Sequence, residues 1–124
     1  MNRTLLVAVG GVVGSVARYW ISGWVQGLDG AQFPVGTLAV NVLGSFAIGA
    51  IMALSLERGM IGPEVRLLLT TGFCGGFTTM STFSYETVAL LRDGSAAGAL
   101  GNIALTVVTC LLSTWLGSWA GRMF

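Results

Sequence analysis

The sequence predicts an all-α membrane protein: one domain over residues 1–124, with four transmembrane helices, the third broken in mid-membrane. Three observations carry that expectation. The 124 residues are 54% hydrophobic and 9% charged, where a soluble domain of this length carries about a quarter charged residues. The apolar residues fall into four stretches, each near the roughly 20 residues that a bilayer crossing needs. Residues 75–84 read GGFTTMSTFS, with two glycines and five hydroxyl side chains where helix-forming residues belong.

The first span is expected at about 4–25. Its start, MNRTLLVAVGG, resembles a secretory signal, but the apolar pattern continues without a small-residue cleavage site and a polar chain behind it. It therefore reads as a retained helix. A polar link, QGLDGAQ, follows, and Pro34 opens the second span at about 35–56. ERGMIGPE closes that span, the third occupies about 65–91, and RDGS turns the chain into the fourth at about 96–120. Gly, Pro and charge clusters set these limits. Trp20 and Trp24 lie near one end of the first span, and Trp115 and Trp119 near the end of the fourth. Such pairs suit interfacial aromatic belts, with core packing as the alternative.

The charged residues exclude several functions. Six arginines face five acids, and there is neither lysine nor histidine. A basic nucleic-acid face is absent, and histidine-based metal or proton chemistry has no residue to use. Cys74 and Cys110 fall inside spans without metal-like spacing and read as small buried hydrophobes. Arg3, Arg58, Arg66 and Arg122 fall at one end of the spans; Arg92 falls at the other, joined by Arg18 if it snorkels. That bias is slight for the positive-inside rule. A chain so balanced can insert both ways, which raises the possibility of an antiparallel pair.

Nineteen glycines are about twice the usual share. Gly10 with Gly14 and Gly117 with Gly121 are spaced by four, and Gly44 and Gly49 line the second span. This spacing brings helix backbones together where lipid removes the hydrophobic drive. Thr37, Asn41 and Ser45 recur every four residues on one face of the second span. Asn102, Thr106, Cys110, Ser113 and Gly117 form a similar stripe on the fourth. Unpaired hydroxyl and amide groups cost several kcal/mol in hydrocarbon, so both faces must meet protein or water.

Neither stripe holds a carboxylate, so a cation pathway of the acidic kind lacks its counter-charge. Hydroxyls and amides donate hydrogen bonds, and an aromatic ring has a positive edge, as at Phe77 or Phe83. An anion route is the better expectation. Arg18 either anchors its helix by snorkelling or concentrates anions at a vestibule. Glu86 needs a donor partner or a watery cavity, in a structural or an anion-relaying role. At the break, Thr78, Thr79, Ser81 and Thr82 are placed to satisfy freed backbone groups. On the two-fold axis of an antiparallel pair, exposed carbonyls of such a break would suit a dehydrated monovalent cation.

GGFTTMSTFS, followed by Glu86 and Thr87, resembles the third-helix signature of the Fluc (CrcB) family of small fluoride channels. PVGTLAVNVLGS, with Thr37 and Asn41, resembles that family's second-helix segment, and Arg18 looks like its first-helix arginine. The resemblance covers the whole chain. It implies a dual-topology antiparallel homodimer in the bacterial inner membrane, with two pores, passive fluoride export and a structural Na+ on the dimer axis. By motif, the carbonyls of Gly75 and Thr78 would bind Na+. Asn41 would sit near the pore centre, the family's paired phenylalanines would fall at Met80 and Phe83, and Ser81, Thr82 and fourth-helix hydroxyls such as Thr106 and Ser113 would form a polar track. Glu86 matches the acid after the motif.

Met80 departs from the family phenylalanine. A thioether fills the volume but has no positive edge, so normal folding with slower conduction is expected. The rival reading, a small proton-coupled multidrug exporter, needs an embedded acid in the first helix, which holds Arg18 and no acid. A non-transporting assembly subunit would leave the polar stripes and the break without a purpose. An enzyme is not expected, because no nucleophile with a base is visible.

Overall fold

The computed structural model describes residues 2–30 and 32–124, with the backbone alone for Asp29. Among the described residues the regular structure is entirely helical. α1 covers Arg3–Asp29, α2 Val35–Met52, α3 Pro63–Leu67, α4 Gly75–Phe77, α5 Met80–Arg92 and α6 Ala96–Arg122. Two stretches are π-wound: Ala53–Glu57 continues α2, and Leu68–Cys74 joins α3 to α4.

Local chemistry sets the helix ends. The Asn2 side chain accepts the Thr4 amide at 2.8 Å and caps α1. Gly30, at φ 63°, ends it in the left-handed conformation. Pro34 precedes α2, Pro63 opens α3, and the Ser95 hydroxyl accepts the Gly98 amide at the start of α6. Ala31, in the first link, lies outside the described residues.

Three helical stretches, Arg3–Leu28, Val35–Glu57 and Ala96–Arg122, are long and apolar enough to cross a membrane. Residues 63–92 do not form one such helix, because Thr78 and Thr79 are extended. The exposed surface is apolar: Tyr19, Trp20, Trp24, Leu111, Trp115 and Trp119 all point outward. The tryptophans are therefore not core residues of the single chain. A soluble fold would not leave so many large hydrophobic groups in water. This is a multi-pass membrane protein.

Packing inside the bundle relies on backbone contact. A side chain at Gly14 would strike the Phe73 carbonyl, and one at Gly117 would strike the carbonyl of Phe46. The spaced glycines thus serve contacts within one chain: α1 against the π-wound segment, and α6 against α2. The contacts Val42–Ser113, Phe46–Gly117 and Ala50–Gly121 rise together along both helices, so α2 and α6 run parallel. At one end, Arg122 pairs with Glu57 at 3.4 Å, Arg58 donates to the backbone carbonyl of Phe124, and Arg66 donates to Ser55 Oγ at 3.0 Å. At the other end, Gln26 donates to the Phe33 carbonyl and accepts the Gly36 amide, tying the α1–α2 link to both helices.

Candidate functional site

The break begins where Gly75-Gly76 weakens the helix and is completed by side chains. Thr78 (φ −95°, ψ 161°) and Thr79 (φ −152°, ψ 118°) are extended. In an unbroken helix the Thr79 amide would bond the Gly75 carbonyl. Here it bonds Asn41 Oδ1 at 2.8 Å, while Asn41 Nδ2 donates to the Thr79 carbonyl at 3.1 Å. One carboxamide thus meets both backbone groups of an extended residue, as a neighbouring β-strand would. The Thr82 amide, which would bond the Thr78 carbonyl, goes to Thr79 Oγ1 at 3.1 Å and so caps α5. The Gly76 carbonyl accepts Arg18 Nε at 2.9 Å.

These diversions leave a specific result. The carbonyls of residues 75–78 lose their i+4 amide partners at the break; Arg18 takes that of Gly76, and Gly75 and Thr78 are the two whose amide partners went to Asn41 and the Thr79 hydroxyl. Arg18 Nε is committed to the Gly76 carbonyl at the break. The expected satisfaction of freed groups is seen at Thr79, whose hydroxyl oxygen accepts the Thr82 amide, whereas the Thr78 hydroxyl donates at 3.0 Å to the Cys74 carbonyl, which also keeps its helical bond from the Thr78 amide. Ser81 lies 3.4 Å from the Thr79 hydroxyl, and Thr82 Oγ1 accepts from it at 3.0 Å.

Beside the break lies a groove of about 690 Å³, walled by α2, the π-wound segment, the break, the start of α5, and α6. Asn41, Ser45, Gly75, Thr78, Thr79, Met80, Phe83 and Thr106 line it. The polar stripes of the second and fourth spans therefore meet at the break. Among the described residues, no acidic or basic side chain lines this groove. Met80 is 72% exposed.

Other expected site residues lie elsewhere. Thr37 and Ser113 are buried and do not line the groove; the Ser113 hydroxyl donates to the Val42 carbonyl at 2.7 Å, on the α2–α6 seam. Ser81 and Thr82 are also outside the groove lining. Glu86 lines a separate cavity of about 120 Å³ with Gln26, Gln32, Pro34 and Asp93, and its Oε1 is buried without a hydrogen-bond partner.

A network that the sequence reading missed pins α5 to α6. Asn102, 1% exposed, donates to Thr87 Oγ1 at 2.9 Å, and the Thr87 hydroxyl donates to the Phe83 carbonyl at 2.7 Å. The Thr106 hydroxyl donates to Asn102 Oδ1 at 3.3 Å. The available signal was the Asn102–Thr106 pair at i and i+4, read only as part of a stripe. The network also means that Thr106 presents an oxygen lone pair to the groove while its proton is held by Asn102.

The family model "CrcB-like protein, Camphor Resistance (CrcB)" matches residues 5–118. A protein of Geobacter sulfurreducens is 52% identical over 122 residues, covering 98% of both chains. One from Pelobacter propionicus is 53% identical over 122 residues, covering 98% of this chain and 95% of its own. One from Geotalea uraniireducens is 51% identical over 117 residues, 94% of each chain. Each is named "Fluoride-specific ion channel FluC". With a helix break tied to its neighbours by Asn41 and Arg18 and a family match over nearly the full length, this chain belongs to the CrcB-like family.

Proposed function

We propose that the protein is a fluoride-specific channel of the bacterial cytoplasmic membrane, exporting fluoride passively and keeping its cytoplasmic level low. The observation that carries this reading is the near-full-length identity, about half of all positions, with proteins named as fluoride channels. The groove supports it chemically. Fluoride is small and strongly hydrated, so a route through hydrocarbon must replace water with hydrogen-bond donors. Asn41 has a second N–H beyond the one on Thr79, and Ser45 brings a hydroxyl to the same wall. The missing carboxylates leave an anion unopposed there.

The broken stretch 63–92 counts as the third of four spans. The groove is half of a pathway, and an inverted second copy covers it, giving an antiparallel homodimer with two pores. Each chain is thus flanked by lipid on one side and its own kind on the other. Phe83 offers a ring edge to the ion; Met80, in the place of a second ring, slows its passage. Ser81, Thr82 and Glu86 continue the track toward the end where the Glu86 cavity lies, while Thr106, its proton held by Asn102, serves the wall by fixing α6 to α5 through Asn102 and Thr87. Ser113 acts by holding α6 to α2, and Arg18 by holding the break.

A structural Na+ fits the same frame. The released carbonyls of Gly75 and Thr78 are hard, neutral oxygen donors of the kind a dehydrated monovalent cation takes, and two chains facing each other across an axis provide four. Bound there, the ion would neutralise carbonyl dipoles and hold the two breaks together.

The test is ion efflux from proteoliposomes, read with fluoride- and chloride-selective electrodes under a potassium–valinomycin shunt. Rapid fluoride release with chloride retained is expected. Vesicles that keep their fluoride, or release both ions alike, would contradict the reading.

A further inference from the structure

We propose that the groove holds a soft monovalent metal cation of the silver(I) or copper(I) class, bound between the sulfurs of Cys110 and Met80. Four groove-lining residues carry sulfur: Met52, Cys74, Met80 and Cys110. Both cysteines are free thiols. With no carboxylate or imidazole on the groove wall among the described residues, thiol and thioether are the strongest metal ligands present, and both select soft d10 ions.

Helical register brings Cys110 and Met80 to one depth. Thr87 of α5 and Asn102 of α6 are joined at 2.9 Å. From that pair toward the break, Met80 is seven residues along α5 and Cys110 eight along α6, about 10–12 Å in each case at 1.5 Å per residue. The α2 contacts agree: Asn41 is bonded to Thr79, and the next residue, Val42, accepts the hydroxyl of Ser113, about one turn beyond Cys110. Accessibility separates the sulfurs. Met80 is 72% exposed and Cys110 half-buried, whereas Cys74 is 3% exposed. Two-coordinate binding by one thiolate and one thioether satisfies a silver ion. As the S–Ag bond forms, the Cys110 thiol gives its proton to water, and no electron is transferred. On the pathway reading given above, an ion held there also obstructs fluoride.

The experiment pairs a binding measurement with a flux measurement, both in chloride-free nitrate buffer. Silver nitrate is titrated into the detergent-solubilised protein by calorimetry, and fluoride efflux is followed from liposomes with and without micromolar silver. The expected result is about one silver ion per chain and efflux slowed at least tenfold. Cys110→Ser should abolish this binding and the block relative to its own silver-free rate, Met80→Leu should weaken binding about tenfold, and Cys74→Ser should retain it. Prior alkylation of the accessible thiol in the unmutated protein should act like Cys110→Ser, without depending on how that variant folds. No silver binding, or equal binding after Cys110 is replaced or alkylated, would overturn the assignment. Silver bound at Cys110 in a protein that passes no fluoride would uphold the metal site and contradict the pathway.

Discussion

The seam between α2 and α6 and the groove beside the helix break are built from the same two helices, with opposite outcomes. On the seam, Gly49, Gly117 and Gly121 bring backbone against backbone, and Ser113 satisfies a carbonyl across the gap. Nothing more is required of it. In the groove, the same helices present Asn41, Ser45 and Thr106 to open space, beside a dipeptide held extended by Asn41. The seam is complete within one chain, whereas the groove keeps donors and released carbonyls facing outward. Small residues at helical spacing finish a contact; polar residues at the same spacing prepare one.

Changes on the seam should have the largest effect, and one through folding. Gly117→Val drives a branched side chain into the Phe46 carbonyl, at a contact where backbone has to move. A loss of about 3 kcal/mol is expected, seen as a lower thermal midpoint and a collapsed monodisperse peak in detergent. Full stability would remove the seam from the account.

Asn41→Ala comes next. It strips partners from the amide and carbonyl of Thr79, at a cost of about 2 kcal/mol, and should lower fluoride efflux at least tenfold. Asn41→Asp still accepts the Thr79 amide, but sets a carboxylate against the Thr79 carbonyl and the passing anion. It should therefore be no better than Asn41→Ala in either flux or stability, since an unpaired carboxylate is costly at this buried position. Equal efflux from Asn41→Asp and the unmutated protein would show that the groove does not carry the anion.

Phe83→Ala should leave the melting midpoint within about 3 °C, the half-buried ring lying at the groove, and cut fluoride efflux by roughly tenfold. Met80→Phe should move flux the other way, raising it a few-fold, because a ring edge replaces a thioether on an exposed position. Smallest of all is Glu57→Gln. Its pair with Arg122 is half exposed on both sides, so a stability change under about 0.5 kcal/mol is expected.

The sequence made some of this legible and not the rest, for physical reasons. Composition and punctuation located the helical stretches to within a few residues, because apolar run length and Gly/Pro breaks are local signals. GGFTTMSTFS announced the break for the same reason. The stripe of Asn41 and Ser45 gave a face, but period alone cannot name a partner 38 residues away. The bond to Thr79 was thus invisible, as was the tie from Arg18 to Gly76 across 58 residues. Asn102 had the spacing but not the visible partner Thr87. The π-winding of Ala53–Glu57 and Leu68–Cys74 left no mark in the apolar pattern. Thr37 and Ser113 share the stripes yet face protein, since a stripe of hydroxyls reads alike whether it meets a helix or an open wall.

The account rests on a groove that an oppositely inserted copy completes, and one labelling measurement addresses that directly. Asp93 sits on the exposed turn between α5 and α6, outside the spans expected from the sequence. With Cys74 and Cys110 replaced by serine and Asp93 by cysteine, cells are treated with a membrane-impermeant maleimide before and after permeabilisation. The account predicts about half of the protein labelled from outside and the remainder only once the membrane is opened. Labelling confined to a single side would contradict it.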